Sequence, residues 1–164
     1  YHYLSGYTAK VAGTELGVTE PKATFSACFG QAFLPLHPKA YAHILGDKMK
    51  QHGAHAYLVN TGWSGGKYGV GKRMPIKVTR KIVDYILDGT LEKAEFEVMP
   101  VFNFKIPKAL PEIPSEMLNP RNSWADKAEY DATLKKLAKM FIEHFESFIV
   151  SEDGKKFLSA GPKL

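Results

Sequence analysis

The sequence predicts an α/β domain in which a mixed sheet is flanked by helices, and three observations carry that prediction. Apolar residues recur at spacings of three and four in several stretches, as on one face of a helix. Short apolar or alternating runs of strand length stand between them. Glycines and prolines sit at the joints, so that helix, strand, loop and helix follow one another.

Taken in order, residues 5–21 (SGYTAKVAGTELGVTEP) hold three glycines and four serines or threonines, with apolar periodicity at neither 2 nor 3.6. They read as a long irregular loop, and loops beyond about 12–15 residues in a compact domain are often functional lids. The run ATFSACFGQAFLPLHP is rich in phenylalanine and small residues and predicts a buried strand with irregular edges. Pro38 then fits the first position of a helix. Tyr41, Ile44, Leu45 and Met49 form its apolar face, and Gly53 supplies its stop. HAYLVNTGW reads as a short apolar strand, followed by a glycine loop and by Pro75 at the start of another helix. The stripe of that helix is Thr79, Ile82, Val83, Ile86 and Leu87, with Gly89 beyond its end.

KAEFEVMP and VFNFKIP alternate as two strands, and ALPEIPSEMLNPRNSW reads as a proline-punctuated surface crossing. The longest helix is expected over residues 127–148, where Tyr130, Leu134, Leu137, Phe141, Phe145 and Phe148 make a core stripe. A short helix over 152–159 is closed by Gly161 and Pro162. The chain has neither an internal repeat nor a low-complexity segment.

A length of 164 residues suits one compact domain that buries roughly 70% of the surface of its unfolded chain. Hydrophobic residues at 45% and charged residues at 24% are ordinary for a globular protein and exclude disordered, collagen-like and disulfide-rich classes. The formal net charge of +5 favours anionic partners. Lys and Arg are scattered among 17 acidic residues, a pattern that points to a nucleotide or small acidic substrate and away from nucleic acid. Cys28 is the single cysteine, lies between Ala27 and Phe29, and reads as a small buried hydrophobe in a reducing compartment. No apolar run reaches the roughly 18–20 residues of a membrane span, and no basic-then-apolar leader is present. A soluble chain is expected. It begins with Tyr1 and not Met, which raises the expectation of further chain upstream.

The stretch GKYGVGKR, residues 66–73, is one residue short of a phosphate-binding loop. It reads G-x-x-x-x-G-K and then places Arg73 where Ser or Thr would hold magnesium. A guanidinium only donates hydrogen bonds and repels a divalent cation, and Pro75 removes an N–H that would face an anion. The same guanidinium can lie against a purine face, with Met74 as a soft apolar neighbour and Thr79 adding a hydroxyl one turn into the helix. A plain glycine-rich turn with an exposed arginine is the competing reading. His52 and His55 are spaced H-x-x-H but straddle Gly53 and lack the glutamate of zinc proteases. No Ser sits in G-x-S-x-G, and Cys28 has no placed base, so neither a metal site nor a nucleophile is predicted.

Several stretches together carry a resemblance: YHYLSGYTAKVAGTELGVTEPKATFSACFGQAFLPLHP, AYLVNTGWSGG, GVGKRMPIKVTRKIVDYILDG, LNPRNSW and the ending AGPKL. In order and over essentially the whole chain they resemble the carboxyl-terminal part of ATP-dependent phosphoenolpyruvate carboxykinase. The resemblance implies part of that family's nucleotide-binding domain and its reaction, in which oxaloacetate and ATP give phosphoenolpyruvate, carbon dioxide and ADP in gluconeogenesis. It implies ATP, Mg²⁺ and Mn²⁺ as cofactors, with no membrane partner. Carried over residue by residue, the family's nucleotide contacts fall on Arg73, Met74 and Thr79, within an adenine-binding loop and helix start over residues 60–80. Many relatives carry Ile where this chain has Met74.

Residues 5–21 resemble the family's mobile active-site lid. The family's phosphate loop, its metal-binding Lys, His and Asp, and its substrate arginines correspond to chain upstream of Tyr1, so no catalytic or metal-ligating residue is expected here. The chain is then expected to be a segment, inactive alone. The alternative is a free-standing adenine-nucleotide-binding module without chemistry, and a basic RNA-binding domain is a third reading. The final Pro162-Lys163-Leu164 has Pro where a peroxisomal address needs a small residue, which leaves a cytoplasmic location as the expectation.

Overall fold

The computed structural model describes residues 1–10, 16–17, 19–149 and 155–164. The chain forms two compact units, Tyr1–Ala56 with Lys139–Pro162 and Tyr57–Ala138 with Lys163–Leu164. The α/β class holds. Among the described residues its strands pair as three two-stranded antiparallel ribbons where a mixed sheet was expected.

In the first unit, helix α1 (His2–Ser5) leads into strand β1 (Tyr7–Lys10). Strand β1 pairs with β2 (Lys22–Phe25), Tyr7 opposite Phe25 and Lys10 opposite Lys22. Part of the stretch expected to be irregular is thus one arm of a ribbon, while residues 11–15 and 18 lie outside the described residues. The buried strand expected after it ends at Phe25. There Cys28 and Phe29 adopt left-handed φ values of 54° and 62°, and the chain turns through short 3₁₀ segments at Ala27–Phe29 and Gln31–Phe33. Cys28 is half-buried with Sγ 3.6 Å from the Pro38 carbonyl oxygen, and burial pushes its thiol pKa up.

Helix α2 (Pro38–His52) starts with Pro38 at its first position, His37 Nδ1 accepting from the Lys39 N–H at 3.3 Å, and ends at Gly53 with φ 59°. Its inward residue is Ala42, which packs on the core. Of the expected stripe, Tyr41 and Met49 are half-buried, whereas Ile44 and Leu45 are exposed. The core itself is Leu4, Ala27, Phe145 and Phe148, with Tyr1 stacked on Phe145 at 3.9 Å between ring centroids.

In the second unit, β3 (Trp63–Ser64) pairs with β4 (Lys72–Arg73), and β5 (Phe96–Val98) pairs with β6 (Lys105–Pro107). The apolar strand expected over residues 55–63 is confined to Trp63 within β3. Before it the backbone has no ladder among the described residues to receive its N–H and C=O groups, and Leu58 is exposed.

Helix α3 (Ile76–Leu87) turns Val78, Ile82, Tyr85 and Ile86 toward a core of Tyr85, Leu91, Leu110 and Ile113. Val83 and Leu87 of the expected stripe are exposed, because the inward face lies one position to the side. Tyr85 can take a buried place since its hydroxyl donates to the Pro111 carbonyl at 2.9 Å. The expected surface crossing supplies Leu110 and Ile113 to this core. It also forms helices α4 (Ser115–Leu118) and α5 (Pro120–Ser123).

Helix α6 (Lys127–Phe145) is capped by Asp126, whose Oδ1 accepts from the N–H groups of Ala128 and Glu129 at 2.8 and 3.1 Å. A 3₁₀ turn at Glu146–Phe148 completes the expected length. Tyr130, Phe141, Phe145 and Phe148 of its stripe are buried. Of the last expected helix, residues 152–154 lie outside the described residues, Lys155 and Lys156 are helical, and a 3₁₀ turn at Leu158–Ala160 stops at Gly161.

Candidate functional site

Backbone hydrogen bonding builds the site around the glycine loop. Asn60 Oδ1 accepts from the Gly62 N–H at 2.9 Å and Asn60 Nδ2 donates to the Trp63 carbonyl at 3.1 Å, which locks a turn before β3. The Met74 N–H donates back to the Gly62 carbonyl at 2.8 Å, so β4 is tied to that turn. Between the two strands, the N–H groups of Val70 and Gly71 donate to the Lys67 carbonyl at 3.0 and 2.8 Å. Gly71 has to be glycine, because a Cβ there would lie 2.5 Å from the Gly66 oxygen and 2.8 Å from the Ser64 oxygen.

These bonds count against a phosphate loop here. Two N–H groups of the loop are already engaged by Lys67, Lys72 lies in a strand, and α3 begins only after Pro75, which has no N–H. The Val70 and Gly71 amides are therefore turned to Lys67 and do not face a phosphate. What the loop does is set Arg73 and Met74 beside the first turn of α3.

The three residues singled out from the sequence come together there. Arg73, Met74 and Thr79 line one cleft of about 380 Å³ with Thr61, Ile76 and Arg80. That volume lies at the lower end of the roughly 300–1,000 Å³ of small-molecule pockets. Met74 is 8% exposed and gives the cleft an apolar wall, Thr79 is half-buried, and both guanidinia are exposed. Among the described residues neither Arg73 nor Arg80 makes an ion pair or a side-chain hydrogen bond. Thr61, Ile76 and Arg80 were missed in the sequence. The last two could have been found from helical spacing, since 76, 79 and 80 share one side of α3, and Thr61 from the Asn-Thr-Gly turn signal.

The donor set of this cleft comprises guanidinia, hydroxyls and a thioether, which fits a base and an anion and does not fit a divalent cation. Among the described residues no group of three or more His, Cys, Asp or Glu side chains is placed to hold a metal. His52 ends α2 and His55 lies in the irregular chain after it, both exposed.

A second cleft of about 540 Å³ opens in the same unit, with Glu97, Asn119, Arg121, Tyr130, Asp131 and Lys135 in its wall. Here the arginine is matched by a neighbouring carboxylate. Arg121 Nε and Nη2 donate to the two Asp131 oxygens at 2.8 and 2.9 Å, and Asn119 Nδ2 donates to Glu97 Oε1 at 2.7 Å. The hydrogen bonds from Arg121 hold the Asp131 carboxyl below its ordinary pKa, and those to Asp131 raise that of the guanidinium. Burial pushes up the Tyr130 hydroxyl.

The fold is an α/β arrangement in which a glycine loop and a helix start share one cationic cleft. A family model for phosphoenolpyruvate carboxykinase matches residues 1–116, and the chain belongs to that family. It is 57% identical over 164 residues to phosphoenolpyruvate carboxykinase (ATP) of Campylobacter lari, covering 100% of this chain and 31% of that relative. The corresponding protein of Campylobacter jejuni subsp. jejuni serotype O:2 is 58% identical over the same span. That of Leptospira biflexa is 55% identical over 162 residues, covering 99% of this chain and 31% of the relative. The chain thus spans about a third of the length of these curated relatives. Among the described residues no helix is long and apolar enough to cross a membrane.

Proposed function

We propose that this chain supplies the adenine end of the nucleotide site of an ATP-dependent phosphoenolpyruvate carboxykinase, and that with the remainder of such an enzyme it serves the conversion of oxaloacetate and ATP to phosphoenolpyruvate, carbon dioxide and ADP. The observation that carries the reading is the convergence of Arg73, Met74 and Thr79 on one cleft whose wall holds no carboxylate. Met74 offers an apolar surface for one side of a purine, and the Arg73 guanidinium can lie over the ring face. The Thr79 hydroxyl donates or accepts at the base edge.

In the proposed reaction, loss of carbon dioxide leaves an enolate whose oxygen takes the γ-phosphoryl group of ATP, so placing the nucleotide is this chain's contribution. A divalent cation, magnesium or manganese, neutralises phosphate charge when bound, and its ligands belong to chain beyond these residues. The ribbon of β1 and β2 carries the second part of the proposal, a lid over residues 5–21 that shields the enolate from water. Its arms are anchored where Tyr7 and Phe25 meet the Phe141 ring at centroid distances of 5.2 and 5.3 Å. A cytoplasmic location goes with this reading.

The test is a titration of the 164-residue chain with ATP, followed by Trp63 fluorescence or by NMR. Arg73→Ala should weaken ATP binding about tenfold, the size of a desolvated cation–π contact, without moving the melting temperature. An unchanged affinity overturns the adenine assignment. The chain alone should form no phosphoenolpyruvate from oxaloacetate and ATP with manganese present.

A further inference from the structure

We infer that Asn60 is a positioning residue of this cleft: without touching the nucleotide, it aims the carbonyl that holds Met74 and fixes the turn that carries Thr61. The inference rests on the adenine reading above and adds to it a residue that shapes the cleft from outside.

Asn60 is exposed and lies outside the cleft wall, so burial in a core does not account for its place. Both ends of its side-chain amide are nonetheless engaged by the backbone just ahead of it. Oδ1 accepts from the Gly62 N–H at 2.9 Å, and Nδ2 donates to the Trp63 carbonyl at 3.1 Å. The clamp needs an acceptor and a donor on one short side chain. A carboxylate of the same length would turn an oxygen toward the Trp63 carbonyl, and an alanine would offer neither group.

Between the two clamped groups lies the Gly62 carbonyl, and it accepts from the Met74 N–H at 2.8 Å. That bond extends the ribbon one residue past its Trp63–Arg73 pair. Without a Cβ, Gly62 has little resistance of its own to a change of φ and ψ, so the direction of its carbonyl depends on the clamp around it. Pro75 follows Met74 and has no N–H to take over the tie. Met74 is the apolar wall, at 8% exposed, and Thr61 lines the same cleft from within the clamped turn. One side chain thus governs two parts of the wall.

The experiment measures ATP binding by the 164-residue chain and hydrogen exchange at the Met74 amide, both by NMR, with thermal melts as the check on folding. Asn60→Ala should speed exchange at Met74 and weaken ATP, each about fivefold, the scale of one net hydrogen bond. Exchange in α6 should stay as it was, which separates a local release from a general loss of stability. Asn60→Ser keeps an acceptor for the Gly62 N–H and should recover part of both effects; it carries the same comparison should the alanine variant fail to fold. Because Asn60 acts through the placement of Met74 and Arg73, Asn60→Ala and Arg73→Ala together should cost less than the product of their separate losses. If Asn60→Ala leaves Met74 exchange and ATP affinity unchanged while Arg73→Ala weakens binding, the role of Asn60 is overturned and the adenine reading stands. If the unaltered chain binds no ATP, or Arg73→Ala binds it as tightly, the adenine reading falls and takes this inference with it.

Discussion

Arg73 and Arg121 are both exposed arginines in cleft walls of the same unit, and they differ in what answers their charge. Arg121 is gripped by both oxygens of Asp131, so its charge is answered within the protein. Arg73 stands opposite Trp63 in a two-residue ribbon with no carboxylate in its cleft. The two walls are also made differently. Side-chain pairs hold the Arg121 cleft, whereas a backbone turn at Asn60 and a glycine loop hold the other. On the proposed reading the arginine without a carboxylate in its cleft is the one that meets the nucleotide, and the one matched by a neighbouring side chain is not.

The largest break in this comparison should come from Gly71→Ala. The added methyl meets two backbone oxygens, those of Gly66 and Ser64, which cannot move aside as a flexible side chain would. Overpacking of this kind costs about 1–3 kcal/mol, and here it pushes the loop off β3 and carries Arg73 with it. The melting temperature should fall by several degrees and ATP affinity should drop with it, while the Arg121–Asp131 pair is untouched. Trp63, opposite Arg73 in the ribbon and edge-on to Tyr68 at 5.4 Å, reports the loop movement through its fluorescence. A variant that melts and binds like the original would show that the loop does not hold Arg73 in place.

The same contrast explains how much could be read from the sequence. Features set by local chemistry were legible: Pro38 and Gly53 bracket α2, and the aromatic spacing of α6 places Phe141, Phe145 and Phe148 in the core. Arg73, Met74 and Thr79, close together in sequence, line one cleft. Features set by pairing across the chain were not. Strand β1 carries no period because its two central residues are exposed, so only its partner β2 defines it. The inward face of α3 was offset because Ile82-Val83 and Ile86-Leu87 are adjacent apolar pairs, and periodicity cannot choose between neighbours. Thr61 entered the cleft wall through a turn locked by Asn60, which no helix or strand pattern records.

A smaller effect is expected at the matched cleft. Arg121→Ala should leave ATP affinity within about twofold, since distant sites act independently, and should lower the melting temperature only slightly because the pair is exposed and screened by salt. Its clearer signature is in acid. The folded pKa of Asp131 lies below that of the unfolded chain, owing first to the hydrogen bonds from Arg121. The stabilisation is therefore present above the ordinary carboxylate range near about pH 4 and disappears as pH falls through the folded value. Arg121→Ala should flatten that part of the acid limb of the melting curve. A large loss of ATP binding in this variant would erase the distinction between the two clefts.

His144 sharpens the rule with the smallest effect, because it too has an unanswered polar atom and yet carries no open charge. Its Nε2 is buried without a hydrogen-bond partner among the described residues, and its ring stacks on Phe25 at 4.4 Å and meets Phe148 edge-on at 5.7 Å. Desolvation lowers its pKa, which keeps the imidazole neutral at neutral pH. Since the folded value lies below the unfolded one near about 6.5, the unfolded chain takes up the proton first as pH falls, and stability declines through that window before levelling below the folded pKa. At higher pH the group is neutral in both states and contributes no pH dependence. His144→Phe keeps an aromatic ring against Phe25 and removes the ionisable nitrogen, so its melting temperature should vary less than that of the original between about pH 7 and pH 5. A decline of equal steepness in both chains would mean that another group titrates there. The neutral state of a packed ring such as His144 would then no longer set it apart from a charged side chain such as Arg73, proposed above to meet the nucleotide.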